Sequence, residues 1–216
     1  MLAIRDVTKG YPTKRGNKIV LDRVSLEIGK GEKWGVLGRN GSGKSTFVRI
    51  LAGAEQPDTG TVESSMSVSW PLAFGGGFQG GITGLDNARF IARIYDAPIA
   101  EVVDFVDGFA ELGDAMNEPV MTYSSGMRAR LAFGLSLAID FDCLLIDEIV
   151  AVGDHRFREK CEVELYQKRA HKGWVLVSHD PHYVRLHCTH AAVIEKGKLT
   201  VAASVDEAIS IYEGLQ

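Results

Sequence analysis

Trp34-Gly35-Val36-Leu37 runs into Gly38-Arg39-Asn40-Gly41-Ser42-Gly43-Lys44-Ser45-Thr46, and Phe47, Val48, Ile50 and Leu51 follow at helical spacing. The short apolar run is of the buried-strand type. Glycines end it, and the apolar residues then recur with a helical period, so the stretch reads as strand, glycine loop, helix. From Gly38 to Ser45 the loop fits G-x-x-x-x-G-K-S/T at every position. Such a backbone wraps closely, so its N–H groups point inward at phosphate oxygens, and the helix starting near Gly43 adds its positive dipole end. Lys44 supplies a point charge for β- and γ-phosphates, the Ser45 hydroxyl is placed to ligate Mg²⁺, and Thr46 reaches the α-phosphate region.

Outward from this loop, the chain alternates strands and helices. Leu2–Val7 and Ile19–Ile28 read as strands about a polar turn at Gly16-Asn17-Lys18, and a hairpin is predicted near Thr61–Trp70. Residues 83–111, 124–138 and 154–171 read as helical, and Phe141–Ile146 and Trp174–Val177 as buried strands. A short helix, a hairpin about Lys196-Gly197-Lys198 and a helix over Val205–Tyr212 close the chain. This pattern predicts an α/β fold, a mostly parallel sheet with helices on its faces.

Two further motifs carry chemistry. The strand Cys143-Leu144-Leu145-Ile146 ends in Asp147-Glu148 and delivers two carboxylates to the carboxyl end of a sheet. Asp147 suits Mg²⁺, directly or through water, and Glu148 suits a general base that polarises an attacking water. Thr122-Tyr123-Ser124-Ser125-Gly126-Met127-Arg128 heads an amphipathic helix, where Ser124 serves equally as an N-cap or as a phosphate ligand. Residues 74–81 join Phe74 and Phe78 to glycines, which fits a buried packing loop or a groove for a partner's helix.

The 216 residues are 45% hydrophobic and 24% charged, which predicts a packed core and not general disorder. Lys plus Arg is 24 against 28 for Asp plus Glu, a net charge of −4, a poor balance for a nucleic-acid partner. No apolar run approaches a membrane span and no signal pattern opens the chain, so a cytosolic location is expected. Cys143, Cys161 and Cys188 fit reduced thiols better than a disulfide frame or a zinc site.

The loop at 38–46, the Ser124-x-Gly126 helix start, the Asp147-Glu148 strand end and His179 in Val177-Ser178-His179-Asp180 fall in one order. That order and spacing resemble the ATP-binding cassette (ABC) ATPases over essentially the whole chain. The resemblance implies a P-loop NTPase-type sheet with an antiparallel β subdomain and a helical subdomain. It makes residues 1–216 a single cassette, with the helical subdomain roughly at 83–138. It implies ATP and Mg²⁺, and a head-to-tail homodimer in which the 38–46 loop of one subunit and the Ser124–Gly126 helix of the other enclose each ATP. Tyr11, in Lys9-Gly10-Tyr11-Pro12, resembles the aromatic that stacks on adenine; the bland reading is an ordinary loop tyrosine. His179 resembles the γ-phosphate contact that holds the attacking water. Asp154, in Ala151-Val152-Gly153-Asp154, resembles the loop that signals between the two sites.

The pattern departs from the family at two places. The signature helix reads Tyr123-Ser124-Ser125-Gly126-Met127 where Leu-Ser-Gly-Gly-Gln is usual, and the glutamine that senses Mg²⁺ and water is displaced to Gln79 from a position near Gly75. These departures, with Trp70–Phe78, Thr83–Asn87 and Ala151–Arg158, resemble bacterial capsular-polysaccharide export ATPases; O-antigen and teichoic-acid exporters are the alternative. The resemblance implies a peripheral subunit on the cytoplasmic face of the inner membrane, paired with two membrane permease subunits that handle a lipid-linked polysaccharide. The span from Lys44 to Ser124 is too short for the long coiled coil of a DNA-repair ATPase, and one cassette is present where a translation factor carries two.

Overall fold

The computed structural model describes residues 1–14, 16–72, 78–147 and 154–215, which form two compact units. Phe74–Gly77, Glu148 and Ala151–Gly153, all singled out above, lie outside the described residues.

The first unit comprises Met1–Pro71, Phe141–Ile149 and Ala170–Gln216. Strands β1 (Leu2–Thr13) and β2 (Gly16–Ile28) pair antiparallel, with Thr13 opposite Gly16 and Tyr11 opposite Lys18. The turn is therefore tighter than the sequence suggests: Gly16-Asn17-Lys18 is already ladder, and the Thr13 hydroxyl donates to the Gly16 carbonyl at 2.7 Å. Strand β4 (Thr59–Ser64) pairs antiparallel with the other edge of β1 and completes a three-stranded sheet.

A second sheet runs in the order β5 (Val68–Pro71), β6 (Cys143–Asp147), β7 (Gly173–Ser178), β3 (Lys33–Leu37), β8 (His190–Glu195), β9 (Lys198–Val201). It is parallel except for the β8–β9 hairpin. The hairpin expected near Thr61–Trp70 is absent, because β4 and β5 belong to different sheets. The residues between them re-aim the chain: the Ser64 hydroxyl donates to the Met66 carbonyl at 2.7 Å, and the Ser67 N–H donates to the Asp142 carboxylate at 3.0 Å. Alternation marks strands but not the sheet each joins.

Val36, Leu37, Leu145, Ile146, Val175 and Val177 are sealed from solvent, as parallel strands covered on both faces require. Helix α1 (Lys44–Leu51) adds Phe47, Val48 and Ile50 to this core. Each such side chain contributes roughly 1.5–3 kcal/mol on burial. Strand β3 is flanked by β7 and β8, with Leu37 opposite Ser178, while Asp147 of β6 lies opposite Val177. The carboxyl ends of β6, β7 and β3 thus open side by side, at the edge where parallel sheets bind ligands. Helices α6 (Pro181–His187) and α7 (Val205–Glu213) complete the unit.

The second unit comprises Leu72–Asp140 and Val150–Arg169. The stretch read as helical over 83–111 splits into α2 (Gly84–Ile94) and α3 (Ile99–Ala110). Asp96 takes φ 51, and Pro98, at the N-cap of α3, bars helical geometry for the residue before it. Helix α4 spans Ser125–Ala138. The 154–171 segment is α-helical only over α5 (His155–Glu162) and continues as a π-helical turn, Val163–Lys168. Aromatic packing holds this unit: Phe109 stacks on Phe105 and Phe133 at 5.6 and 5.8 Å and meets Phe157 edge-on at 5.4 Å.

Among the described residues no helix is long and apolar enough to cross a membrane. The three cysteines are free thiols, each pushed up to about 12 chiefly by burial.

Candidate functional site

The glycine loop leaves β3 and turns into α1 at Gly43, which caps the helix with φ 115. A side chain there would be strained, and its Cβ would lie 2.7 Å from the Val20 carbonyl oxygen. Gly38 is needed for a different reason: a Cβ would stand 2.6 Å from Ser42 Oγ and 2.7 Å from the Ile194 carbonyl oxygen. Lys44 is buried, and its ammonium donates to the Gly38 and Arg39 carbonyls at 2.7 and 3.1 Å. The cation is thus curled back over the loop that encircles it. Among the described residues Ser42 Oγ is buried with no hydrogen-bond partner, and the first turn of α1 carries no acid. An orphaned hydroxyl, a curled-back cation and an acid-free helix start form a cradle suited to an anion.

A cavity of about 520 Å³ adjoins the loop, lined by Tyr11, Lys18, Val20, Asn40, Gly41, Gly43, Lys44, Ser45, Thr46 and Asp147. Ser45 is exposed to it and Thr46 is buried. The Tyr11 hydroxyl donates to Glu55 Oε1 at 2.6 Å and accepts from Arg49 Nη2 at 3.0 Å. Tyr11, Ser45, Thr46 and Asp147, expected at a nucleotide from the sequence, all line one cavity. Lys18 and Val20 line it too and belong to no motif. Their signal was the alternation of β2, which puts residues two apart on one face, together with the register that sets Lys18 across from Tyr11.

His179 follows β7 immediately, on the same edge. Its carbonyl accepts from the buried Tyr212 hydroxyl of α7 at 3.1 Å. Beside it, Ser178 Oγ accepts from the Asp180 N–H at 2.9 Å, and Asp180 caps α6 through the His182 N–H at 2.8 Å. A second cavity of about 440 Å³ is lined by Arg39, Asn40, His179 and Tyr212. Arg39 of the glycine loop donates to the Leu215 carbonyl at 3.2 Å. The last helix thus meets the histidine segment through Tyr212, and Leu215 just beyond it meets the loop; no local motif announces either contact.

No group of three or more His, Cys, Asp or Glu that could cage a metal exists among the described residues. Mg²⁺ keeps waters and borrows oxygens from phosphates, needing only one or two protein ligands. Ser45 and Asp147, lining one cavity, fit that limited role.

The second unit carries the remaining candidates. Ser124 caps α4, accepting from the Met127 N–H at 3.2 Å. The structural role is thus real, yet a hydroxyl that accepts still has its proton to donate outward. Among the described residues outside its own helix backbone and chain neighbours, a Cβ at Gly126 would meet nothing nearer than Ser124 Oγ at 3.9 Å. Asp154 caps α5 through the Phe157 N–H at 3.0 Å and accepts from Arg130 of α4 at 2.7 Å. The Phe157 N–H first, and then the Arg130 and Arg156 charges, hold its carboxyl below the usual range. Arg130, which also covers the Phe157 ring at 4.6 Å, thus ties the Ser124 helix to Asp154. Gln79 is exposed, and its main chain is gripped by the buried Asn87: Asn87 Oδ1 accepts from Gln79 N at 2.8 Å, and Asn87 Nδ2 donates to Gln79 O at 3.0 Å. Arg130, 24 residues from Asp154, and Asn87, eight from Gln79, pair at separations that no spacing rule finds.

Comparisons with known proteins identify the family and the fold. A family model described as ABC transporter matches residues 21–151, more than half of the chain. The ATP-binding protein BexA of Haemophilus influenzae is 51% identical over 216 residues, covering 100% of both chains. The capsule polysaccharide export ATP-binding protein CtrD of Neisseria meningitidis serogroup B is 50% identical, again over 100% of both. Among solved structures, the dimeric post-hydrolysis state of the ATP-binding cassette MJ0796 bound to ADP and phosphate superposes with a TM-score of 0.79. It covers 95% of this chain and 99% of that one at 21% identity, which establishes the shared α/β cassette fold.

Proposed function

Since this chain belongs to the ABC transporter family, we propose that it is the ATP-hydrolysing subunit of a bacterial capsular-polysaccharide exporter. The observation that carries the nucleotide part is the cavity that gathers Lys44, Ser45, Thr46 and Asp147 against Tyr11. The glycan part is supported by two full-length relatives, one of which is named for capsule polysaccharide export.

In this reading residues 1–216 form one cassette, with a helical subdomain near 83–138, on the cytoplasmic face of the inner membrane. The loop N–H groups and Ser42 receive the phosphates, and Lys44 exchanges its carbonyl partners for β- and γ-phosphate oxygens. Ser45 and Asp147 would hold Mg²⁺, which would neutralise charge developing in phosphoryl transfer. Gln79 senses that ion and the attacking water. Glu148 takes the proton of that water, and His179 orients it against the γ-phosphate. Ser124 and the N–H groups near Gly126 of a second copy complete each site, so ATP favours the closed homodimer by touching both halves. Asp154, held by Arg130, reports between the two sites. Two permease subunits convert closing and opening into movement of the lipid-linked glycan, and nucleic acid has no part in it.

The test is Glu148→Gln, with hydrolysis and association measured together. The variant is expected to bind ATP, to dimerise in its presence and to lose turnover by about 10²-fold or more. Undiminished turnover removes Glu148 from the role of base. A chain that binds no ATP removes the reading altogether.

A further inference from the structure

The hydroxyl end of Tyr11 is held more firmly than stacking requires. Glu55, in the turn after α1, accepts from it at 2.6 Å, and Arg49 of α1 donates to it at 3.0 Å. Arg49 Nε also donates to Glu55 Oε2 at 3.0 Å, and Lys9 stands 3.5 Å from Glu55 Oε1. Burial pushes the Glu55 carboxyl up, but the Tyr11 and Arg49 hydrogen bonds and the Arg49 and Lys9 charges outweigh it and hold the group below its ordinary range. The carboxylate is therefore an acceptor only.

That fixes every proton around the phenol. Tyr11 has one, and it goes to Glu55. Its oxygen then accepts from Arg49, and the 3.3 Å contact with Thr46 Oγ1 must be a donation from Thr46. Thr46 in turn accepts from Arg49 Nη2 at 3.3 Å. When a phosphate oxygen arrives, the Thr46 proton can rotate to it while Glu55 and Arg49 keep Tyr11 in place. Both ends of this chain of contacts, Tyr11 and Thr46, line the same cavity.

We infer that Glu55 and Arg49 are positioning residues for base recognition: they lock the Tyr11 ring through its hydroxyl and join that lock to Thr46 at the phosphate end. The inference rests on the nucleotide reading above. A ring already immobile loses no freedom when a base settles on it, and a tyrosine left to swing must be ordered by the ligand.

The experiment is calorimetric titration of the purified chain with Mg·ATP and with Mg·tripolyphosphate, which fills the phosphate cradle and lacks a base. Tyr11→Phe keeps the ring and removes the lock. Glu55→Gln replaces one acceptor by an amide N–H that must face either the Tyr11 hydroxyl or Arg49, both donors. Each variant is expected to bind ATP about two- to tenfold more weakly, the cost of immobilising one side chain, with tripolyphosphate changed less than about twofold. The double variant should lose no more than the worse single one, since both break one network. Equal losses for the two ligands, additive losses, or unchanged ATP affinity in Tyr11→Phe overturn the lock alone. A wild-type chain that binds neither ligand overturns the nucleotide reading and the lock with it. Tyr11→Phe leaves Glu55 and Arg49 paired, so it remains decisive if Glu55→Gln does not fold.

Discussion

Asn87 offers the sharpest check on how the second unit is held. Its side chain is sealed from solvent and makes three hydrogen bonds: one accepted from Gln79 N, one donated to Gln79 O, and one donated to Thr83 O at 2.9 Å. Asn87→Ala removes all three. A typical internal hydrogen bond contributes about 1 kcal/mol net, so the three together set a scale of about 3 kcal/mol. The Thr83 carbonyl still accepts from the Asn87 main-chain N–H at 3.0 Å, and exposed Gln79 can rehydrate. The expected loss is therefore about 2–3 kcal/mol in urea denaturation. Asn87→Asp keeps the acceptor for Gln79 N but turns a carboxylate on the Gln79 and Thr83 carbonyl oxygens. At pH 7 it should cost more than the alanine. Its folded pKa will lie above the unfolded value, so the folded state binds more protons, and stability should rise as pH falls towards about 4. An alanine variant that loses less than about 1 kcal/mol, or an aspartate variant indifferent to pH over that range, would refute the account of this clamp.

Two other substitutions probe the first unit. Gly43→Ala meets both a φ of 115 and a carbonyl oxygen 2.7 Å from the new Cβ; it should lower nucleotide-free stability by about 2–5 kcal/mol, and a urea midpoint within error of wild type would contradict it. Tyr212→Phe removes the donor to the His179 carbonyl; turnover should fall about three- to tenfold with ATP affinity unchanged, and a parallel rise in Kd would show that α7 shapes binding instead.

The parts legible in the sequence are those where chemistry and local conformation coincide. Gly38–Thr46 is readable because a tight turn and an anion-binding loop both demand glycines at that spacing, and Cys143–Asp147 because the buried strand is apolar until its last residue. Ser124 was readable twice over, and the structure shows the cap directly. What stayed hidden depends on pairing at a distance. Alternation near Thr61–Trp70 was real, but two sheets divide it. The break at Asp96–Pro98 was overridden by the apolar period on either side of it. Arg130, Asn87, Glu55 and Tyr212 look like ordinary helix and turn residues until the fold supplies Asp154, Gln79, Tyr11 and His179.

The position of β3 has a consequence for biosynthesis. Both of its neighbours, β7 and β8, come from the last fifth of the sequence. A ribosome will have polymerised the entire glycine loop long before either flanking strand exists, so the nascent segment waits unpaired while most of the polypeptide is made. Closing such distant pairings is slow: every wall of the loop's cavity, from Tyr11 to Asp147, is synthesised before the two strands that must hold the loop in register.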